Sequence, residues 1–110
     1  MTVKELKDAC AFDVIVMPDP EREVKDAYIG DLLSWVMGRA TEGNAWITIM
    51  NNVNTIAVAS LADVSCVILA EDVKLDEELV KTANLKGVNV LSSGAPSFET
   101  AIAIGKTIYE

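Results

Sequence analysis

Residues Ala45–Ser93 read AWITIMNNVNTIAVASLADVSCVILAEDVKLDEELVKTANLKGVNVLSS, and three short apolar runs inside this stretch each end in polar side chains. Ala45–Met50 runs into Asn51, Asn52 and Asn54, Cys66–Ala70 into Glu71 and Asp72, and Val88–Leu91 into Ser92, Ser93 and Gly94. Apolar runs this short, bounded by turn residues, read as buried strands. Between the first two, Ile56 and Val58 alternate as in a strand. Asn54 is nevertheless a good N-cap, and Ala57, Ala59, Leu61 and Ala62 favour helix. Asp76, Glu77 and Glu78 give the next helix an acidic first turn; it runs to Lys86 and stops at Gly87. Ser97 is expected to cap a last helix reaching Ile108. Strand-helix alternation with short connections predicts a right-handed parallel sheet. In such a sheet, ligands bind in the crevice at the carboxyl ends of the strands, so all three polar clusters are expected on one rim.

Working outward, Thr2-Val3-Lys4-Glu5 is a capping box that opens a short helix to Cys10. Phe12–Met17 is a strand stopped by Pro18-Asp19-Pro20, where two prolines remove backbone donors and force a turn. Val24–Ile29 reads as another strand, Leu32–Ala40 as a helix, and Gly43-Asn44 as a turn. No linker, repeat or low-complexity tract divides residues 1–110, so one α/β domain is expected.

Composition narrows the function classes. Hydrophobic residues make up 51% of the chain with only 5% aromatic, an aliphatic bias that suits strands covered by helices on both faces. A formal charge of −8 with scattered Lys and Arg argues against nucleic acid. The apolar runs fall far short of the roughly 20 residues a membrane span needs. Met1–Lys7 is polar and lacks the pattern of a secretory signal, so a cytoplasmic protein is expected. Cys10 and Cys66 lack partners at metal-ligand spacing and read as buried reduced thiols.

Each strand-end cluster has a ligand-binding and a purely local reading. Asn51, Asn52 and Asn54 present amide donors and acceptors to an uncharged ring or a ribose, or they shape a loop and one cap. Ser92, Ser93, Gly94 and Ser97 precede a helix start and suit a phosphate or carboxylate, or they form a turn. Gly30-Asp31 leads into a helix whose free N–H groups suit an anion, but Asp31 reads better as an N-cap bonded near Ser34. Glu71 and Asp72 read as a solvated loop rather than as an acid–base pair or a metal site. There is no histidine to act as a base, so no serine is read as a nucleophile. Leu32, Leu33, Trp35, Val36 and Met37 make their helix apolar almost all round, which predicts burial on more than one side. With Trp46, they point to a dimer contact.

The stretch Val64–Leu91, followed by Ser92-Ser93 and Ser97-Phe98-Glu99-Thr100, resembles the DRTGG domain family and the related N-terminal domain of HPr kinase/phosphorylase. Ala27–Ala40 (AYIGDLLSWVMGRA) and Ala45–Ala59 (AWITIMNNVNTIAVA) resemble stand-alone proteins of that kind. The chain departs from the naming motif: Asn51-Asn52 stands where Asp-Arg is expected, and Ala70-Glu71-Asp72 where Thr-Gly-Gly is expected. The resemblance implies a three-layer α/β/α fold with a mostly parallel central sheet, and self-association as a homodimer. It also implies a place beside regulatory nucleotide-binding modules or catalytic domains, with an adenine nucleotide as the ligand class. A serine kinase activity does not follow, because phosphoryl transfer needs a phosphate cradle that Gly43, Gly87 and Gly94, each standing alone, do not supply. The expected function is a non-catalytic ligand-sensing module that needs no cofactor and binds a small anionic or nucleotide-type ligand at the rim. The alternative is a structural subunit that docks onto a larger enzyme through the helix around Trp35.

Overall fold

A five-stranded sheet in the order β1-β5-β4-β3-β2 forms the middle layer of the computed structural model, which describes residues 1–110. Its strands are β1 (Asp13–Val16), β2 (Asp26–Ile29), β3 (Asn44–Thr48), β4 (Cys66–Leu69) and β5 (Val90–Ser92). The helices are α1 (Val3–Cys10), α2 (Leu33–Arg39), α3 (Val53–Ala62), α4 (Glu77–Lys86) and α5 (Ser97–Tyr109). β2, β3, β4 and β5 pair in parallel, while β1 joins the edge at β5 antiparallel. From β2 to β5 the chain steps one way across the sheet. Crossovers of a single hand therefore place α2, α3 and α4 on the same face, leaving the other to α1 and α5. This is the three-layer α/β/α architecture.

The central strands are buried on both faces, and their side chains alternate between two cores. Ala45, Ile47, Cys66 and Ile68 pack with Val3, Leu6 and Ile104 of α1 and α5. Trp46, Val67 and Leu69 pack with Val36, Ile56 and Ala83 of α2, α3 and α4. The fully buried Trp46 indole donates to Gly30 O at 2.9 Å, which ties the end of β2 to β3.

Several element ends differ from the sequence expectation, for local reasons. Val24 lies outside β2 because its N–H donates to Met1 O at 2.7 Å, and Lys25 N–H goes to Gly43 O. β5 begins at Val90, not Val88, because Val88 N–H closes the end of α4 on Ala83 O, beside Gly87 with φ 72°. Asn54 is not the cap of α3. That cap is Asn52, whose side-chain oxygen accepts from Asn54 N–H at 2.9 Å and Thr55 N–H at 3.2 Å. The Thr2–Glu5 capping box forms as expected.

The helix around Trp35 departs furthest. In α2 only Val36 is fully buried, whereas Leu32, Trp35 and Met37 are 58%, 57% and 42% exposed. No further layer covers this helix, so the apolar side chains on its two flanks meet solvent. Arg39 stacks over the Trp35 ring at 3.8 Å from its centroid.

Buried Asn89 links the sheet to the proline turn. Its amide donates to Ser65 O at 2.9 Å and Asp19 O at 2.8 Å, and its carbonyl accepts from Asp19 N–H at 2.9 Å. Asn89→Ala strands these groups and is expected to cost about 2 kcal/mol, read as a lower urea midpoint with an unchanged slope. Burial pushes the Cys66 thiol up to about 12, while Cys10 is half-buried. An alkylating reagent at pH 8 is therefore expected to label Cys10 alone in the native protein, and both thiols in denaturant. A raised folded-state pKa favours the native thiol below the unfolded pKa. Cys66 thus contributes a loss of stability as pH rises from its ordinary 9.0 toward 12, a loss that Cys66→Ala removes.

Candidate functional site

Parallel pairing carries the ends of β2, β3, β4 and β5 to one rim, and the polar clusters after them meet there in unequal ways. A groove of about 570 Å³ opens between the first turns of α3 and α4. Asn51, Asn52 and Val53 form one wall, with Lys74, Leu75 and Asp76 opposite. Asn51 spans it by donating from Nδ2 to Lys74 O at 2.7 Å. Asn52 and Asp76 face the groove as the caps of α3 and α4, so two helix starts converge on it; Asp76 accepts from Leu79 N–H at 2.9 Å. Asn54 does not line the groove.

The Lys74 wall is absent from the strand-end reading, because Lys74, Asp76 and Glu78 lie four or more residues beyond the apolar run. A signal existed: Lys74 is the one cation between Glu71 and Glu78. Its ammonium pairs with Asp72 at 2.8 Å, and that hydrogen bond and charge hold Lys74 above the ordinary lysine range, with Asp13 adding to the effect. The groove therefore offers one cation, two side-chain amides and an apolar floor, bordered by carboxylates.

The other clusters are taken up by the protein itself. Asp31 is not the cap of α2, which starts after Leu32 without a side-chain cap. Instead its carboxylate accepts from Thr48 Oγ1 at 2.8 Å and Ile49 N–H at 3.0 Å, fixing the end of β3 beside Gly30. Ser92 lies within β5, and both Ser92 and Ser93 are buried. Ser93 Oγ shares a hydrogen bond with Thr100 Oγ1 at 2.8 Å. Gly94 is exposed at the turn. Ser97 does not cap α5; it is the first helical residue, after Pro96. Glu71, read from sequence as solvated loop, does that work: its Oε2 accepts from Ser97 N–H at 2.7 Å. The start of α5 thus already holds an anion, supplied by the chain.

Glu71 and Asp72 adopt left-handed backbone, with φ of 61° and 58°. Residues with a Cβ enter that region at a cost of roughly 1–2 kcal/mol each, whereas glycine enters freely. Their N–H groups donate to Ala95 O at 2.9 Å and Ser93 O at 3.0 Å, which fixes the conformation.

This arrangement defines a three-layer α/β module that carries a groove where its parallel strands end. The sequence model of the DRTGG domain matches residues 7–107, and the chain belongs to the DRTGG domain family. The fold is similar to a crystal structure of the CBS and DRTGG domains of the regulatory region of Clostridium perfringens pyrophosphatase, complexed with its activator diadenosine tetraphosphate. That match has a TM-score of 0.70 at 14% identity, over 94% of this chain and 45% of the other. At that identity the likeness is one of fold, and the chain spans less than half the length of the matched structure. No curated protein matches the sequence significantly.

Replacing Glu71 separates cap from strain. Glu71→Ala removes the carboxylate from α5 but keeps the left-handed cost, whereas Glu71→Gly removes both. The glycine variant is expected to be more stable than the alanine variant by about 1 kcal/mol, measured by thermal unfolding.

Proposed function

We propose that this chain is a non-catalytic regulatory module that senses a nucleotide-type ligand in the groove between α3 and α4. The observation that carries the reading is the convergence of Asn51, Asn52 and Lys74 on one concave surface at the strand ends. The free carbonyl of Asn51 and the exposed edge of Asn52 suit a base or ribose, while Val53, Leu75 and Leu79 suit the face of a ring. Lys74 is the group that meets a phosphate. Asp76 and Glu78 oppose negative charge, so the uncharged part of the ligand supplies most of the affinity. We assign Gly30, Asp31, Asn54, Ser92, Ser93, Gly94 and Ser97 to holding the shape of the rim. The regulatory character of the structurally similar pyrophosphatase region, which binds a nucleotide activator, supports the sensing role.

The whole of residues 1–110 acts as one unit in this reading, without a cofactor. No helix is long and apolar enough to cross a membrane, and we place the protein in the cytoplasm. A homodimer formed through α2 is the readout, because Leu32, Trp35 and Met37 are uncovered apolar side chains on a chain of net charge −8. The same side chains support a second reading, a subunit that docks onto a larger enzyme.

Thermal unfolding with millimolar adenine nucleotides tests the sensing role. A ligand at a hundred times its dissociation constant stabilises the folded state by about 2.7 kcal/mol. The expected result is an upward shift that Asn51→Ala abolishes and Ser93→Ala leaves in place. No shift with any nucleotide contradicts it. Trp35→Ala is expected to turn a dimer into a monomer by sedimentation. If the native chain is monomeric and Trp35→Ala abolishes capture by a partner enzyme that Asn51→Ala leaves intact, the docking reading replaces the sensor.

A further inference from the structure

The loop from Ala70 to Asp76 is tied at its two ends to opposite layers of the fold. At its start Glu71 holds Ser97 N–H at 2.7 Å, and the backbone of residues 71 and 72 is bonded to Ala95 and Ser93 before α5. At its far end Lys74 O is held by Asn51 at 2.7 Å, and Asp76 caps α4. The two ends are joined through the Lys74–Asp72 ion pair at 2.8 Å. The start consists of two successive left-handed residues, neither of them glycine. Such backbone persists only while its surroundings over-determine it. Here several of the restraints are contacts of exposed side chains: Glu71, Asp72, Lys74 and Asn51 are all at the surface.

We infer that this loop relays the state of the groove to the first turn of α5 on the opposite face of the sheet. A group that enters the groove and takes the Lys74 ammonium or the Asn51 amide removes one of the bonds fixing that end. The backbone bonds of Glu71 and Asp72 to Ala95 and Ser93 then hold the left-handed residues alone, and the hold of the Glu71 carboxylate on Ser97 weakens. Pro96 offers no side-chain cap in its place, so the first turn of α5, with exposed Phe98, loosens. The trigger rests on the groove being a ligand site, but the wiring between the two ends exists without any ligand.

That wiring is read from backbone amide resonances of the ligand-free chain. Lys74 and Glu71 are exposed, so Lys74→Ala and Glu71→Ala keep the fold. Lys74→Ala is expected to move the Ser97 and Phe98 amides and to quicken their hydrogen exchange several-fold. Glu71→Ala is expected to do the same, and adding Lys74→Ala to it is expected to change nothing more at those amides. The inference is overturned if Lys74→Ala disturbs only residues 51–53 and 74–79, or if the two substitutions act additively at Ser97. A chain that passes this test yet binds no nucleotide keeps the relay and loses the groove reading. One that binds nucleotide and fails the test keeps the groove and loses the relay.

Discussion

Parallel pairing of two strands that are buried on both faces is the constraint from which the other features follow. β3 and β4 have no solvent face, so every residue from Ala45 to Thr48 and from Cys66 to Ala70 must pack or pair. Helices on both sides are then required, and parallel strands require crossovers long enough to be those helices. The polar groups that cannot enter such strands collect where they end. The rim is thus a consequence of the burial pattern, and Asn51, Asn52, Glu71 and Asp72 share an edge because the strands before them share a direction.

Within that rim, a division of labour separates satisfied groups from available ones. Asp31, Glu71 and Ser93 each have partners within the chain, at Thr48 and Ile49, Ser97, and Thr100 respectively. Their bonds keep the strand ends and the start of α5 in place. The Ser93–Thr100 bond is buried, whereas Asn51 and Lys74, like Glu71, are held by contacts at the surface, the first two beside the groove. The difference matters because a ligand competes more cheaply with an exposed hydrogen bond than with one shielded from water.

The layered architecture was legible in the sequence because it rests on strong, local signals. The apolar runs of β3 and β4, the acidic start and glycine stop of α4, and the Thr2–Glu5 box all act within a few residues. The misassigned caps share a different cause. Asp31 and Glu71 make their bonds to residues 17 to 26 positions away, across the rim. Ser97 lost its expected role because the helix begins one residue earlier, with Pro96 O accepting from Thr100 N–H. The exposure of Trp35 was hidden for a similar reason: an apolar helix pattern does not say whether another layer lies above it. Only half of the groove was visible, since the Lys74 wall lies beyond the strand end and is brought to Asn51 by the loop.

The central claim is that ligand binding is concentrated between the starts of α3 and α4. The most direct measurement is a two-dimensional amide spectrum recorded as an adenine nucleotide is titrated into the protein. The account predicts that the first and largest shifts fall on Asn51–Val53 and Lys74–Leu79, with smaller ones at the start of α5. Shifts centred on Gly30-Asp31 or on Ser92–Gly94, with Asn51 and Lys74 unmoved, would contradict it.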